Sequence, residues 1–382
     1  MEELALAGAL VRGLGSENID HRLRHADFGN SSGVRWLGTS IASLSTLQRV
    51  LVVGSHLRKD HPLFAQRIRQ AVRKGAQVNA VNSRVHDWAL PVANTLVAES
   101  GVWVEALAQI AASIAREKGV TSPWNVSASV ESDAIARSLL GGERKAVLLG
   151  NAAAHHEKAS SLLALAQWIG EHTGASVGYL GEAANSVGAQ LVRAVPGQGG
   201  QNASQMLRGG LKAAVLLGVE PGLDSAAGGQ GLVGAEMVVT MSAFKTNMDV
   251  SDVLLPIAPF TETSGSFVNA EGRLQGFHAV VRPLGDTRPA WKVLRVLGNL
   301  LGLPGFDADS SQAVLSAALP GVASGEVVDA ARLTNASSAF IDMNLIPGQP
   351  CAASIYQLDS LVRRASSLQL TADGRAAQGA HA

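Results

Sequence analysis

The chain has 382 residues, a length that suits two domains or one large domain with an extension. Hydrophobic residues make up 47% and charged residues only 16%, so disorder is excluded and a sizeable core can form. The 31 Lys+Arg balance the 31 Asp+Glu, which leaves no electrostatic footprint for nucleic acid or for an anionic membrane surface.

The chain opens Met1-Glu2-Glu3 with no basic n-region, so no signal peptide is expected. Val50-Leu51-Val52-Val53 reads as a buried strand, followed by the Gly54-Ser55 corner and a helical pattern from Pro62 to Arg73. Pro62 near the helix start and Gly75 just past its end fit the usual asymmetry, and Ala76 to Val81 reads as the next strand. This is a βαβ unit, which implies a parallel sheet with a right-handed crossover. The theme recurs at Ala146 to Leu149 with the Gly150-Asn151 corner and a helix from about Lys158 to His172. Further strands are expected at Ala213 to Leu217, Glu236 to Met241 and Val253 to Pro256, and a helix at Trp291 to Leu301. Apolar runs without alternation mean strands covered on both faces.

These elements predict an α/β fold of two doubly wound, mainly parallel-sheet modules with an extended C-terminal tail. The expected layout is a lead-in segment 1–30, a first Rossmann-like module 31–143, a second module 144–305 and an irregular extension 306–382. The seam is placed at the Gly/charged stretch 141–145. The most apolar stretch, around Val293 to Leu303, is broken by Arg295, Gly298 and Asn299, so no transmembrane helix is expected and the chain reads as cytoplasmic.

Several residue groups invite chemistry. Gly54, Ser55, Gly150 and Asn151 sit at the carboxyl ends of strands, where open α/β sheets bind ligands and phosphates. A tight strand-to-helix turn needs the same glycines with nothing bound. Gly229 to Gly234 matches G-x-G-x-x-G, but no strand directly precedes it, as the dinucleotide motif requires. His155-His156-Glu157 lacks the H-E-x-x-H spacing and reads as a polar helix start with Glu157 near the dipole. Cys351, the single cysteine, rules out a disulfide framework or a four-cysteine cluster within the chain and reads as a structural or incidental thiol. The stretch from Glu262 to Arg273 offers two carboxylates, an Asn and an Arg. It suits either a general acid/base site or a self-hydrogen-bonded turn.

Asp252-Val253-Leu254-Leu255-Pro256, then Glu262-x-x-Gly265, then Asn269-x-Glu271-Gly272-Arg273, resembles the A-D-x-x-L-P…E-x-x-G-x-x-x-N-x-E-G-R signature of molybdopterin oxidoreductases. Ser251 stands where the signature begins with Ala, and His56 where the family's v-G-s-N corner has Asn. Within that superfamily the chain looks like the C-terminal part of the large iron–sulfur subunit of bacterial respiratory complex I (NADH-quinone oxidoreductase). The segments that carry this are Asp20-His21-Arg22-Leu23-Arg24, Ser55-His56-Leu57-Arg58-Lys59, Ala184 to Ala189 and the tail Ile355 to Ala365.

That resemblance implies a non-catalytic scaffold in NADH-to-quinone electron transport. It implies no catalytic residue, no metal ligand and no cofactor in this chain. The [2Fe–2S] and [4Fe–4S] clusters would sit on a cluster-bearing N-terminal half. The implied partners are that half and other peripheral-arm subunits, with no nucleic acid and no direct membrane insertion. The implied place is peripheral to the inner membrane through the complex. Two alternatives remain open: a molybdopterin-dependent oxidoreductase fragment that binds a pterin nucleotide, and an unrelated nucleotide-binding α/β enzyme. A thiamine-enzyme-like central module shares only the strand–Gly–helix pattern.

Overall fold

A computed structural model describes residues 1–29, 33–346 and 352–379. The chain folds as two compact units. One comprises His25–Ala183 and Ala330–Ile355; the other comprises Met1–Arg24, Ala184–Asp329 and Tyr356–Ala382.

The first unit is built on five parallel strands: β1 (Arg49–Val53), β2 (Gln77–Asn82), β3 (Asn94–Val97), β4 (Lys145–Leu149) and β5 (Ser176–Tyr179). Their order is β3-β2-β1-β4-β5, so the winding reverses between β1 and β4. Successive strand residues alternate between faces, and both faces are buried. Leu51, Val53, Val147 and Leu149 pack into one core with the helices Trp103–Lys118, Val130–Leu140 and Ala159–Thr173. Val50, Val52, Ala80, Ala146 and Leu148 are also fully buried and face the other way. The helix Pro62–Val72 buries Ala65, Ile68 and Ala71, one residue every turn, as an amphipathic helix on a sheet does.

The second unit holds a three-stranded parallel sheet, β6 (Ala213–Leu217), β7 (Met237–Ser242) and β8 (Val253–Pro256), in that order. A separate antiparallel hairpin joins β9 (Gly265–Val268) and β10 (Leu274–Phe277). Its main core brings Leu6 and Leu10 of the helix Glu2–Gly13 against Trp291, Leu294 and Phe306. Gly298 makes room for this packing, because a Cβ there would lie 2.2 Å from the Phe306 ring. Among the described residues no helix is long and apolar enough to cross a membrane.

The expected α/β architecture with parallel sheets is therefore present, but its boundaries differ from the expected ones. The seam at 141–145 falls inside the first unit. β4 pairs with β1 residue for residue, Val50 with Ala146 and Val53 with Leu149. Gly141 ends the helix Val130–Leu140, and Gly142 takes a φ of +73° that turns the chain back to the sheet. The Gln48 side chain then accepts the Glu143 and Arg144 amides, so a linker-like composition makes a sewn-down turn.

The lead-in 1–30 is equally integral, since its helix lies in the second unit's core. The extension 306–382 is divided. Asn335 donates to the Trp36 and Val177 carbonyls at the β5 edge of the first unit. Asp359 caps the helix Ser360–Arg364, which belongs to the second unit.

Candidate functional site

The crevice where the winding reverses, between the carboxyl ends of β1 and β4, is where an open α/β sheet takes a ligand. Gly54 and Gly150 both lie there, and the two corners pack against each other. A Cβ on Gly150 would lie 2.4 Å from the Ser55 Cβ and 2.5 Å from the Gly54 carbonyl oxygen. A Cβ on Gly54, whose φ is +65°, would strike the Ala153 amide at 2.7 Å and the Trp103 ring at 2.8 Å. Both glycines are thus required by close packing of chain on chain.

The strand-end amides and the Ser55 hydroxyl of the crevice find their partners within the chain. The Gly54 amide donates to the Val81 carbonyl, the Gly150 amide to Val53 and the Ala152 amide to Gly54. Ser55 and Asn151 are both buried. The Asp60 carboxylate accepts the His56 amide at 2.8 Å and the Ser55 hydroxyl at 3.2 Å. Burial raises the Asp60 pKa, and its hydrogen bonds from His56 and Ser55 offset only part of that. The helix that follows Gly150, Asn151–Ala154, spans four residues, too short for a useful dipole.

Histidines cluster around this crevice. His56 stacks on His86 at 4.3 Å between ring centroids, and burial together with the nearby His56 and Arg84 pulls the His86 pKa down to about 4. His61, buried at the start of Pro62–Val72, is pulled down to about 4 by burial. His156 is buried beside Trp103; its Nδ1 accepts the Lys158 amide, so its Nε2–H donates to the Ser100 carbonyl at 2.9 Å.

The reading of 155–157 as a polar helix start is corrected. The helix begins at Ala159, and both histidines are 1% exposed. His155 Nε2 lies 2.6 Å from the Glu182 carboxylate, with His25 alongside at 5.2 Å between rings. Sequence reasoning missed this grouping because Glu182 and His25 are distant in the chain. The one available signal was that the triplet lies one short helix, Asn151–Ala154, after a strand–Gly corner.

The 252–273 residues lie in the second unit and form its framework. The Asp252 carboxylate accepts the Val238 amide and its own amide returns to the Val238 carbonyl, which sets β8 beside β7. Pro256 ends the β7–β8 ladder opposite Ser242. Glu262 accepts the Leu284 amide, and Gly265 lies where a Cβ would meet the Phe277 ring at 2.8 Å. Asn269 Oδ1 accepts the Glu271 amide at 3.1 Å and the Arg273 amide at 2.9 Å, closing the β9–β10 turn. Gly272 takes a φ of +87° in that turn, and Glu271 pairs with Arg273 at 2.8 Å.

The G-x-G-x-x-G match at 229–234 forms a 3-10 turn, Gln230–Gly234. Gly231 is needed there because a Cβ would lie 2.2 Å from the Arg208 backbone. Cys351 lies outside the described residues.

Comparison with known proteins gives the chain its relatives. A family model described as Molybdopterin oxidoreductase matches residues 1–300. Putative formate dehydrogenases of Staphylococcus aureus are similar over 66 residues, at 38% identity in strain USA300 and 36% in strain bovine RF122. That stretch is 17% of this chain and 7% of the relatives' own length. Among solved structures, a chain of the formyltransferase/hydrolase complex from Methylorubrum extorquens superposes with a TM-score of 0.56 at 15% identity, covering 78% of this chain and 88% of that one. Acetylene hydratase from Pelobacter acetylenicus gives a TM-score of 0.49 at 12% identity, covering 81% and 53%.

A molybdopterin nucleotide carries phosphate, and a phosphate in such a crevice needs main-chain amides or cations aimed at it. At the β1 corner the residues present do not fit a phosphate. The Asp60 carboxylate already takes the His56 amide and the Ser55 hydroxyl, and a second anion there would face it at close range.

Proposed function

The chain belongs to the molybdopterin oxidoreductase family, and from that membership we propose that it acts as a non-catalytic scaffold, the counterpart of this region in the large iron–sulfur subunit of respiratory complex I. The observation that carries the reading is the crevice between β1 and β4. An internal carboxylate, paired strand-end amides and two interlocked glycines fill the place where a catalytic relative would admit a ligand. The sequence segments at 20–24, 55–59, 184–189 and 355–365 point to that branch of the family.

In this reading the chain docks against the cluster-bearing half of that large subunit and against other peripheral-arm subunits, and so lies peripheral to the inner membrane. Electron transfer from NADH to quinone passes through flavin and iron–sulfur groups elsewhere in the complex. A second reading, a molybdopterin-dependent oxidoreductase fragment, is favoured by the local 38% identity to putative formate dehydrogenases.

One experiment separates the two. The protein is purified from its native host, and molybdenum, pterin and co-purifying chains are measured. Iron–sulfur polypeptides and NADH-quinone oxidoreductase activity in the same fractions, without pterin, are the expected result. Stoichiometric molybdenum and pterin would overturn the scaffold reading.

A further inference from the structure

Among the described residues, His155 is the most completely buried histidine that has an unsatisfied nitrogen beside a carboxylate. It ends the short helix Asn151–Ala154 at the carboxyl end of β4 and is 1% exposed. Its Nε2 faces the Glu182 carboxylate at 2.6 Å, while its Nδ1 is buried with no hydrogen-bond partner. A buried imidazole nitrogen without a partner has lost its hydrogen bond to water and gained none, and such an atom calls for an explanation. The third member is His25, whose ring is tilted by 60° to that of His155 at 5.2 Å. One ligand atom from each of His25, His155 and Glu182 lies within 4.8 Å of the others.

We propose that His25, His155 and Glu182 form a mononuclear site for a first-row divalent transition ion, with zinc as its type. The donor set decides the ion. Two imidazoles and one carboxylate suit zinc or its neighbours, whereas magnesium and calcium select oxygen alone. Nitrogen and oxygen ligands bind zinc at about 2.0–2.2 Å, so ligand atoms in a tetrahedron stand roughly 3.4 Å apart. Binding would therefore draw the more distant of these atoms, now up to 4.8 Å apart, closer together. Three protein ligands leave the fourth position open to water or to an incoming ligand. The site also ties three distant segments of the first unit to one point. The proposal is independent of the scaffold reading, since it concerns neither pterin nor partner subunits.

The test uses the full chain without an affinity tag, stripped with a chelator. Cobalt is titrated for the visible absorption of a four-coordinate ion, and zinc is then titrated against a chromophoric chelator. The expected result is one equivalent of metal, a rise in melting temperature with zinc, and affinity at least about tenfold weaker in both His25→Gln and Glu182→Gln. Circular dichroism checks that both variants fold; since His25 and Glu182 are only partly buried, both are expected to do so. His86→Gln and Cys351→Ser should bind as the wild type does. No saturable uptake by the wild type, or uptake with unchanged affinity in both ligand variants, would overturn the proposal. The first outcome would leave His155 and Glu182 as a plain hydrogen-bonded pair.

Discussion

The Asp60 carboxylate holds the His56 main-chain amide at 2.8 Å, four residues back along the chain. This contact closes the β1 corner with an anion of the protein's own. Asp60→Ala leaves the His56 amide and the Ser55 hydroxyl without their acceptor, at a cost of about 1–3 kcal/mol. Asp60→Asn keeps a neutral acceptor and should recover part of that loss. Urea denaturation midpoints of the three proteins check this. A midpoint for Asp60→Ala equal to the wild type would show that the corner does not depend on the carboxylate.

Asn269 closes the β9–β10 hairpin with one side-chain oxygen that accepts two amides. Replacing it with Ala removes both contacts, and a cost of roughly 1–2 kcal/mol is expected. Arg273→Ala should cost less, because its pair with Glu271 is partly exposed and its hydrogen bond to the Gly325 carbonyl is exposed. Melting temperatures measure both. Wild-type melting together with selective loss of a bound ligand would move this stretch from framework to binding site.

How far the sequence carried depended on how local each signal was. The strands at Val50 to Val53, Ala146 to Leu149 and Ala213 to Leu217 were legible because unbroken apolar runs beside Gly have few other uses. Of the two readings of 262–273, the hydrogen-bonded turn rests on equally local contacts, since Asn269 bonds to amides two and four residues on. What was not legible depends on long-range contacts. The stretch 141–145 has a linker's composition, and the Gln48 side chain that holds its amides lies 95 residues earlier. Glu182 is 27 residues from His155, and nothing local marks the pair. The tail shows the same limit, since Asn335 reaches back to Trp36 across 299 residues.

Arg363 and Arg364 grip two carboxylates. Arg364 donates to both Glu220 oxygens at 2.8 and 2.9 Å, and Arg363 reaches Asp224 at 2.8 Å. The hydrogen bonds from Arg364 come first among the causes that hold the Glu220 pKa below its usual range. Arg363 is nearly buried, and so are both carboxylates. Removing one partner of a buried pair costs on the order of 3–5 kcal/mol, because the remaining charge is stranded. Deleting 356–370 therefore should destabilise the second unit itself. Arg363→Ala should do the same, and Glu220→Gln should cost less, since its amide oxygen can still accept from Arg364 and Arg363 keeps Asp224. Because the folded pKa of Glu220 is depressed, its contribution is present above the unfolded carboxylate pKa and is lost as pH falls through the folded value. Denaturation at neutral and acidic pH measures this, and a deletion variant as stable as the wild type would contradict it.

His61 sets a second acid limit. Burial lowers its pKa from 6.5 to about 4, and its Nε2 has no hydrogen-bond partner. Below pH 6.5 the unfolded chain takes up a proton at this site that the folded chain resists, so the unfolded state gains as pH falls. The stability contribution is fully present above 6.5 and is lost progressively down to about 4. Full loss amounts to roughly 3 kcal/mol. His86 adds to the same trend, because it is also pulled down to about 4 and stacks on His56. His61→Gln removes the proton-binding site and should flatten the stability curve between these two pH values, even if its stability at neutral pH is lower. Urea denaturation at half-unit steps of pH gives the slope for each protein. Parallel slopes for wild type and His61→Gln would assign the acid sensitivity to the other carboxylates and histidines, whereas a shallower slope in the variant would fix His61 as the group that first resists protonation.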